Sequence, residues 1–325
     1  MLLERRRGGA RVQSRQVDED VRAGADARPG PEDARVSRFQ GGSVVPTRLS
    51  TADVERYARD GFLAPVTALT RDEASAYRAK LEAFERTVGG PLTSEATDAR
   101  YRSRTHVLLA WVHELVRHPA ILDAVEKLIG PDILVYTSTW FIKEPDSSAI
   151  AAWHQDATYF GLRPYVHVTA WLALTDATAE NGCMEFLPGS HRRGQLPHRA
   201  GVVAGSVNRA GQAITVQVDD APAVHASLSA GEFSLHHTLL LHRSAPNRSR
   251  DRRIGLAISY VPAHVQHLGV KHQTPAMLVR GVDTFGHFQL EPAPAADFDE
   301  SARAAYARSY EGYRAAYAEQ VALQG

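Results

Sequence analysis

Apolar residues recur at intervals of three and four along four segments of the chain, the spacing that places them on one face of an α-helix. These segments are residues 50–61, 70–89, 119–130 and 306–321. The second segment begins with the capping-box pair Thr70 and Glu73, and a glycine ends each of the first three. The pattern predicts helices at both ends of the molecule.

Between these helical segments the apolar spacing changes to two, which is typical of β-strands. The predicted strands are residues 133–142, 166–174, 183–187, 231–242 and 253–261. Glu180-Asn181-Gly182 predicts a tight turn before the third strand. Helices followed by many strands favour an α+β fold with a double-stranded β-helix (jelly roll) core flanked by N-terminal and C-terminal helices. We expect one domain over residues 45–325, with the jelly roll at about 133–262.

The first 44 residues have a different composition. They are rich in arginine, glycine, aspartate and alanine and contain almost no aromatic residues. Such a segment cannot bury enough apolar surface to fold, so we expect a disordered tail without a catalytic role. It also lacks the apolar region of a secretory signal peptide.

Composition narrows the function only slightly. The 325 residues include 37 basic and 37 acidic side chains, a balance that argues against a nucleic-acid or membrane-surface protein. No apolar run reaches the roughly 18 residues of a membrane span. Cys183 is the single cysteine, so no intrachain disulfide can form, as is typical of a reducing cytoplasm. We expect a cytoplasmic monomer or homodimer that acts on a small molecule.

The candidate chemistry begins at His154 and Asp156. Two residues that are two positions apart in an extended segment project from the same face. A histidine from a distant strand would complete a set of two histidines and one carboxylate. That set holds non-haem Fe(II) and leaves coordination positions open for substrate, cosubstrate and dioxygen. A His-x-Asp triplet is common by chance in a chain with 15 histidines, so the interpretation depends on its context.

Two pairs of residues compete for the distal histidine and an arginine that could anchor a dicarboxylate cosubstrate. His242 with Arg253 and His237 with Arg248 are both eleven residues apart. Arg253 begins a strand, whereas Arg248 lies in a polar loop, which is a less rigid anchor. We therefore favour His242 and Arg253. His236 shares the face of His242 by strand alternation, and we interpret it as a core histidine that could line the site without binding the metal.

Strand phase supports the choice of Arg253. The other residues on its face of the strand are small: Gly255, Ala257 and Ser259. This face would leave room for a bound ligand beside the arginine.

Other metals would suit the same three side chains. Zn(II), Mn(II) or Ni(II) on a jelly roll would indicate a cupin-like isomerase or hydrolase, or a metal-binding protein. These alternatives do not need an internal anchor for a dicarboxylate, so Arg253 argues against them. Retention of the three ligands and the arginine also argues against an inactive scaffold.

Several motifs together resemble the phytanoyl-CoA dioxygenase family of Fe(II)/2-oxoglutarate-dependent oxygenases. They are Trp153-His-Gln-Asp, Thr169-Ala-Trp-Leu-Ala-Leu, Asn181-Gly-Cys-Met, Pro188-Gly-Ser-His and His242-Arg-Ser-Ala-Pro-Asn-Arg-Ser. The similarity runs from about Leu49 to Leu290. It implies a jelly-roll dioxygenase that uses Fe(II), 2-oxoglutarate and dioxygen.

The resemblance also implies roles for individual residues. His154, Asp156 and His242 would bind iron. The distal carboxylate of 2-oxoglutarate would lie on Arg253, near Ser244, and two further residues would lie near the cosubstrate: Trp171 and Thr139. Asp156 stands where halogenating relatives have a small residue, so the resemblance implies a hydroxylase.

The implied reaction is hydroxylation of an unactivated C–H bond of a small molecule, with release of succinate and CO2. Desaturation, epimerisation or ring closure could follow from the same oxidant. Expected substrates are an amino acid or amine, a phosphonate, or a secondary metabolite.

Five polar residues fall in or near loops around the predicted mouth and could meet the substrate: Gln155, Tyr159, Arg163, His106 and His191. Gln155 would project away from its two neighbours in an extended segment, which favours a supporting role instead. Arg163 and His191 would suit an anionic group on the substrate.

Overall fold

The computed structural model describes residues 48–199, 213–269 and 271–322. Its α-helices are α1 (Thr51–Asp60), α2 (Arg71–Thr87), α3 (Ala110–Val116), α4 (Pro119–Ile129) and α5 (Glu300–Ala322). Ser50 and Thr70 each accept a hydrogen bond from a backbone N–H of the following turn, and both capping boxes are complete. Gly61 ends α1 in the left-handed conformation, at φ 85°. The predicted helices are confirmed, and the short α3 was not predicted.

Two sheets with mostly antiparallel strand pairs form the jelly roll. Its strands and their short neighbours are β1 (Phe62–Thr67), β2 (Ile133–Lys143), β3 (Ala151–His154), β4 (Leu162–Arg163), β5 (Val168–Ala173), β6 (Met184–Phe186), β7 (His198–Arg199), β8 (Ala213–Ile214), β9 (Val224–Ala226), β10 (Glu232–His237), β11 (His242–Ser244), β12 (Arg253–Pro262), β13 (Gln266–His267), β14 (Pro275–Arg280) and β15 (Gln289–Leu290). The larger sheet has the order β1-β10-β5-β12-β2-β14-β15, and the smaller has the order β3-β11-β6-β9. Strands β13 and β4 form one ribbon, and β7 and β8 form another. The α+β jelly-roll prediction is confirmed.

The two faces of strand β12 separate the core from the site. Ile254, Leu256 and Ile258 are fully buried in the main hydrophobic cluster, which also contains residues of α2, α3 and α4. Arg253 and Ala257 project from the opposite face into a pocket lined by residues of both sheets. The helices thus cover the outer face of the larger sheet, which leaves its inner face for the site.

The prediction of one strand over residues 231–242 is wrong. The chain leaves the larger sheet after His237, turns, and enters the smaller sheet at His242. In this turn the Leu240 N–H donates to the His237 carbonyl. The apolar pattern of this segment therefore did not reveal the crossing from one sheet to the other, since period-two spacing cannot distinguish one strand from two.

The predicted turn at residues 180–182 is present, although it joins strands of different sheets. Gly182 has φ 75°, and a Cβ atom there would lie 2.0 Å from the Ala245 carbonyl oxygen. Glycine is required on both counts. The turn therefore packs directly against the chain that follows β11.

Among the described helices, none combines the length and the apolar composition that crossing a bilayer requires. The predicted disordered tail, residues 1–44, lies outside the described residues.

Candidate active site

His154 and His242 lie side by side on paired strands. β3 and β11 are antiparallel, with His154 directly opposite His242, and the ring centroids are 4.0 Å apart. The Nδ1 atom of His154 lies 2.8 Å from the Ala152 carbonyl oxygen, and that of His242 lies 3.0 Å from the Leu240 carbonyl oxygen. Each Nδ1–H can donate to its carbonyl, which assigns the lone pair to Nε2 on the pocket side.

Asp156 completes the group from the start of a short 3-10 helix that follows β3. Its Oδ1 atom is 3.8 Å from Nε2 of His154 and 3.6 Å from Nε2 of His242. Its other oxygen, Oδ2, accepts hydrogen bonds from Thr169 Oγ1 at 2.9 Å and His236 Nε2 at 3.2 Å. One oxygen is thereby held by the protein, and the other is left to face the two imidazoles.

Burial sets the protonation states in favour of metal binding. It lowers the pKa of both imidazoles, His154 and His242, below their ordinary value. Burial alone would raise the pKa of Asp156, but the surrounding histidines lower it below its usual range. Neutral imidazoles and an ionised carboxylate are the forms that bind metal ions. One ligand atom from each residue lies within 4.8 Å of the others, so a single ion can contact all three.

Arg253 lies in the same pocket. Arg253 is 2% exposed, and its Nε atom is buried without a hydrogen-bond partner among the described residues. Burial lowers its pKa to about 10, so it remains protonated at neutral pH. The neighbouring Arg252 forms ion pairs with Glu85 and Glu144 at 2.7 and 2.8 Å. Carboxylates of the protein therefore neutralise Arg252, whereas Arg253 has no counter-ion among the described residues.

The sequence profile of the phytanoyl-CoA dioxygenase (PhyH) family matches residues 57–255. The chain belongs to the phytanoyl-CoA dioxygenase family. It is 27% identical to the peroxisomal phytanoyl-CoA dioxygenase of Rattus norvegicus over 271 residues, which cover 78% of this chain and 80% of the rat enzyme. Matches to other phytanoyl-CoA dioxygenases span about half of those proteins, 49% and 54% of their lengths.

Bacterial enzymes and solved structures extend the similarity. L-proline trans-4-hydroxylase of Streptomyces griseoviridis is 26% identical over 233 residues, which cover 64% of this chain and 87% of that enzyme. The structure of the non-heme monooxygenase ThoJ is 38% identical, with a TM-score of 0.73, and the match covers 83% of this chain and 98% of that one. The predicted class, an Fe(II)/2-oxoglutarate-dependent dioxygenase, is confirmed by membership of this family.

The residues of this chain fit the cofactors of the phytanoyl-CoA dioxygenase family. Two histidines and one carboxylate are the donor set of non-haem Fe(II) sites with open positions. A buried guanidinium without a counter-ion is costly unless an anion binds it, and a dicarboxylate cosubstrate supplies that anion.

Trp171 forms one wall of the pocket and lies over Arg253, with 5.1 Å between the guanidinium carbon and the ring centroid. Its ring occupies the space that Gly255 leaves open. A Cβ atom at position 255 would lie 1.9 Å from a ring carbon of Trp171. The sequence predicted free space beside the small residues of β12. At Gly255 the Trp171 ring fills this space, so only the remainder is left for a ligand.

Gly255→Ala is expected to raise the KM for 2-oxoglutarate about tenfold, because Trp171 must move away from its place over Arg253. Overpacking is also expected to reduce the free energy of unfolding by about 1–3 kcal/mol. Kinetics with varied 2-oxoglutarate, together with thermal unfolding, would measure both effects. The double variant Gly255→Ala/Trp171→Phe has a smaller ring and should recover part of the affinity. An unchanged KM in the single variant would contradict the packing argument.

Of the two remaining residues predicted to lie near the cosubstrate, one lines the pocket and the other does not. Ser244 lines the pocket at the end of β11 and is buried. Thr139 lies opposite Ala257 in the β2–β12 pair, and its hydroxyl is 3.5 Å from that of Ser103. Thr139 does not line the described pocket.

Two of the predicted substrate residues are enclosed by the protein. Gln155 is fully buried, and its side-chain amide bonds to the backbone of Gly194, Leu196 and Leu239. His106 is also fully buried, and its Nδ1 atom lies 2.8 Å from Ser138 Oγ. Both side chains are engaged by the protein and lie outside the described lining of the pocket, and their contact with substrate stays a prediction. The supporting role suggested for Gln155 agrees with its backbone contacts.

Two others, Arg163 and His191, lie outside the described lining of the pocket. Arg163 donates to Gln195 at 3.3 Å and lies over the Tyr165 ring. His191 is near the Ala58 carbonyl, with 3.3 Å between Nε2 and the oxygen. The side chain of Tyr159 is outside the described part of the structure. Their contact with substrate stays a prediction.

The competing pair, His237 and Arg248, is not at the metal site. The His237 ring faces His191, at 5.2 Å between centroids, and Arg248 is exposed. His236 does line the pocket, through its contact with Asp156.

Sequence reasoning missed Thr169 and Lys143. Thr169 lies two positions before Trp171 on β5, so strand alternation could have placed it on the pocket face.

Proposed function

We propose that this protein hydroxylates an unactivated C–H bond of a small molecule and converts 2-oxoglutarate and dioxygen to succinate and CO2. One observation carries the proposal. A cluster of two histidines and one aspartate opens into the same pocket as a buried arginine that has no counter-ion among the described residues. This combination supports a cosubstrate that chelates a metal at one end and carries a carboxylate at the other.

The proposal gives each residue a role. Fe(II) is held by His154, Asp156 and His242. In each of these side chains, a hydrogen bond at the atom that faces away from the metal keeps the ligand in one orientation. Arg253 binds the distal carboxylate of 2-oxoglutarate, and the Ser244 hydroxyl donates to the same group. Trp171 covers the guanidinium and excludes water from this ion pair.

Bound iron and 2-oxoglutarate supply the oxidant that removes a hydrogen atom from the substrate. The carboxylate of Asp156 supports hydroxylation over halogenation, because it occupies the position that halogenating relatives leave to chloride.

For the substrate we propose an amino acid or amine, a phosphonate, or a secondary metabolite. Similarity to L-proline trans-4-hydroxylase supports an amino acid or a related compound as the first class to test. Arg163 would contribute positive charge for an anionic group on the substrate. The cytoplasmic location and the monomeric or homodimeric state stay predictions.

Anaerobic reconstitution with Fe(II), followed by 2-oxoglutarate, tests the proposal directly. We expect the weak visible charge-transfer band of a keto acid chelated to ferrous iron, since the proposed ligand set leaves positions open for chelation. Succinate release can then be screened against amino acids, amines, phosphonates and secondary metabolites. Tight metal binding without the band would contradict the proposal and favour the cupin-like isomerase or hydrolase.

A further inference from the structure

Lys143 is a second buried basic residue beside Arg253. It ends strand β2, directly opposite Arg253 in the β2–β12 pair, and is 0% exposed. The other lysines of the chain are all exposed: Lys80, Lys127 and Lys271. Burial of a lysine is costly, so its position requires an explanation.

The ammonium group of Lys143 determines what Ser244 can do. It donates to Ser244 Oγ at 2.7 Å and to the Ala245 carbonyl. Because Oγ accepts from an ammonium group, the hydroxyl hydrogen must point elsewhere. No described residue accepts that hydrogen, and Ser244 lines the pocket. Lys143 therefore orients the hydroxyl as a donor toward the pocket.

The charges around Lys143 do not cancel. Arg253 faces it from β12, Glu185 faces it from β6, and Cys183 faces it from the position just before β6. Glu185 is paired with Arg243 at 2.8 Å, and burial raises the pKa of the Cys183 thiol, which keeps it neutral. Within the described structure, no carboxylate lies within ion-pair distance of Lys143 or Arg253. An anion from outside the protein would therefore stabilise the charged forms of both side chains.

We propose that Lys143 is a positioning residue for the cosubstrate: it fixes the Ser244 hydroxyl as a donor to the distal carboxylate and adds a second positive charge beside it. The inference rests on the proposed function, since it concerns the same bound dicarboxylate.

A pH dependence follows from this arrangement. Burial, together with repulsion from Arg253, lowers the pKa of Lys143 to about 7. A bound carboxylate stabilises the ammonium form and raises that pKa, so binding is coupled to proton uptake. Affinity for 2-oxoglutarate is therefore highest below pH 7. It falls as the pH rises through the pKa of the ligand-free protein, and it levels off above the pKa of the bound state.

The test is an anaerobic titration of the full-length Fe(II) protein with 2-oxoglutarate, followed by the charge-transfer band. For the wild type we expect the Kd to rise about tenfold between about pH 6.5 and pH 9, as the ammonium is lost. Lys143→Met should raise the Kd about tenfold at the lower pH and remove most of this pH dependence. Lys143→Arg keeps its charge at all these pH values and should bind tightly throughout. Lys127→Met is the control and should match the wild type.

A double-mutant cycle separates positioning from a general structural effect. If Lys143 acts through the Ser244 hydroxyl, Ser244→Ala and Lys143→Met together should weaken binding by less than the product of their separate effects. Independent effects would overturn the inference, as would a Lys143→Met protein with wild-type affinity and pH dependence. The wild-type pH profile does not depend on any variant folding, and a flat profile would also overturn it. Absence of the band in the wild type would contradict the proposed function instead.

Discussion

His242→Ala is expected to abolish both Fe(II) binding and succinate release, with a loss of activity of at least about 10³-fold. The proposed iron site has three protein ligands, and His242 supplies one of them on a strand paired directly with that of His154. Without the His242 imidazole, the Oδ1 atom of Asp156 faces one imidazole instead of two. Changes at outer-shell partners alone cost about 10–100-fold in metal affinity, so loss of a ligand should cost more. Equilibrium binding of Fe(II) under anaerobic conditions, together with a succinate assay, would measure the effect.

His237→Ala is the matched control, because His237 precedes the same crossing between sheets and belongs to the competing pair. Its ring faces His191, away from the metal cluster. The His237→Ala variant should therefore bind iron as the wild type does. Loss of iron in His237→Ala, with His242→Ala unaffected, would keep the chemistry and overturn the choice of ligand.

The three candidate metal ligands could be predicted because each belongs to a short local motif. Such a motif is recognisable even where the strand boundaries are assigned incorrectly. His242 was assigned to a strand that began at residue 231, yet the structure divides that segment between two sheets. His236 was placed on the pocket face by the same alternation argument. It does line the pocket, but from the larger sheet, opposite the smaller sheet that holds His242. The alternation argument therefore placed His236 on the pocket face correctly, although it assumed that His236 and His242 belong to one strand.

Residues outside the motifs were harder to predict, because their roles depend on strand pairing. Lys143 lies beside Arg253 only because β2 pairs with β12 in one register. His106 lies far from any strand motif, and only the folded structure shows that Ser138 and the core enclose it. Composition and periodicity carry no information about register between strands that are distant in the sequence.

The second large effect is expected at Arg253. Arg253→Gln should raise the KM for 2-oxoglutarate by about a hundredfold or more, since breaking a buried ion pair costs about 3–5 kcal/mol. kcat at saturating cosubstrate should change much less, because the proposed role of Arg253 is to bind the cosubstrate and not to hold the metal. Kinetics with varied 2-oxoglutarate, and titration of the charge-transfer band, would measure the two effects separately.

Choice of cosubstrate gives the sharper test of Arg253. 2-Oxopentanoate keeps the keto acid that chelates iron but lacks the distal carboxylate, so the wild type should strongly prefer 2-oxoglutarate. Arg253→Gln should lose most of that preference, since the variant has no guanidinium to distinguish the two compounds. Arg248→Gln is the matched control, because Arg248 is exposed and belongs to the competing pair. If Arg248→Gln loses the preference while Arg253→Gln keeps it, the anchor has been assigned to the wrong arginine.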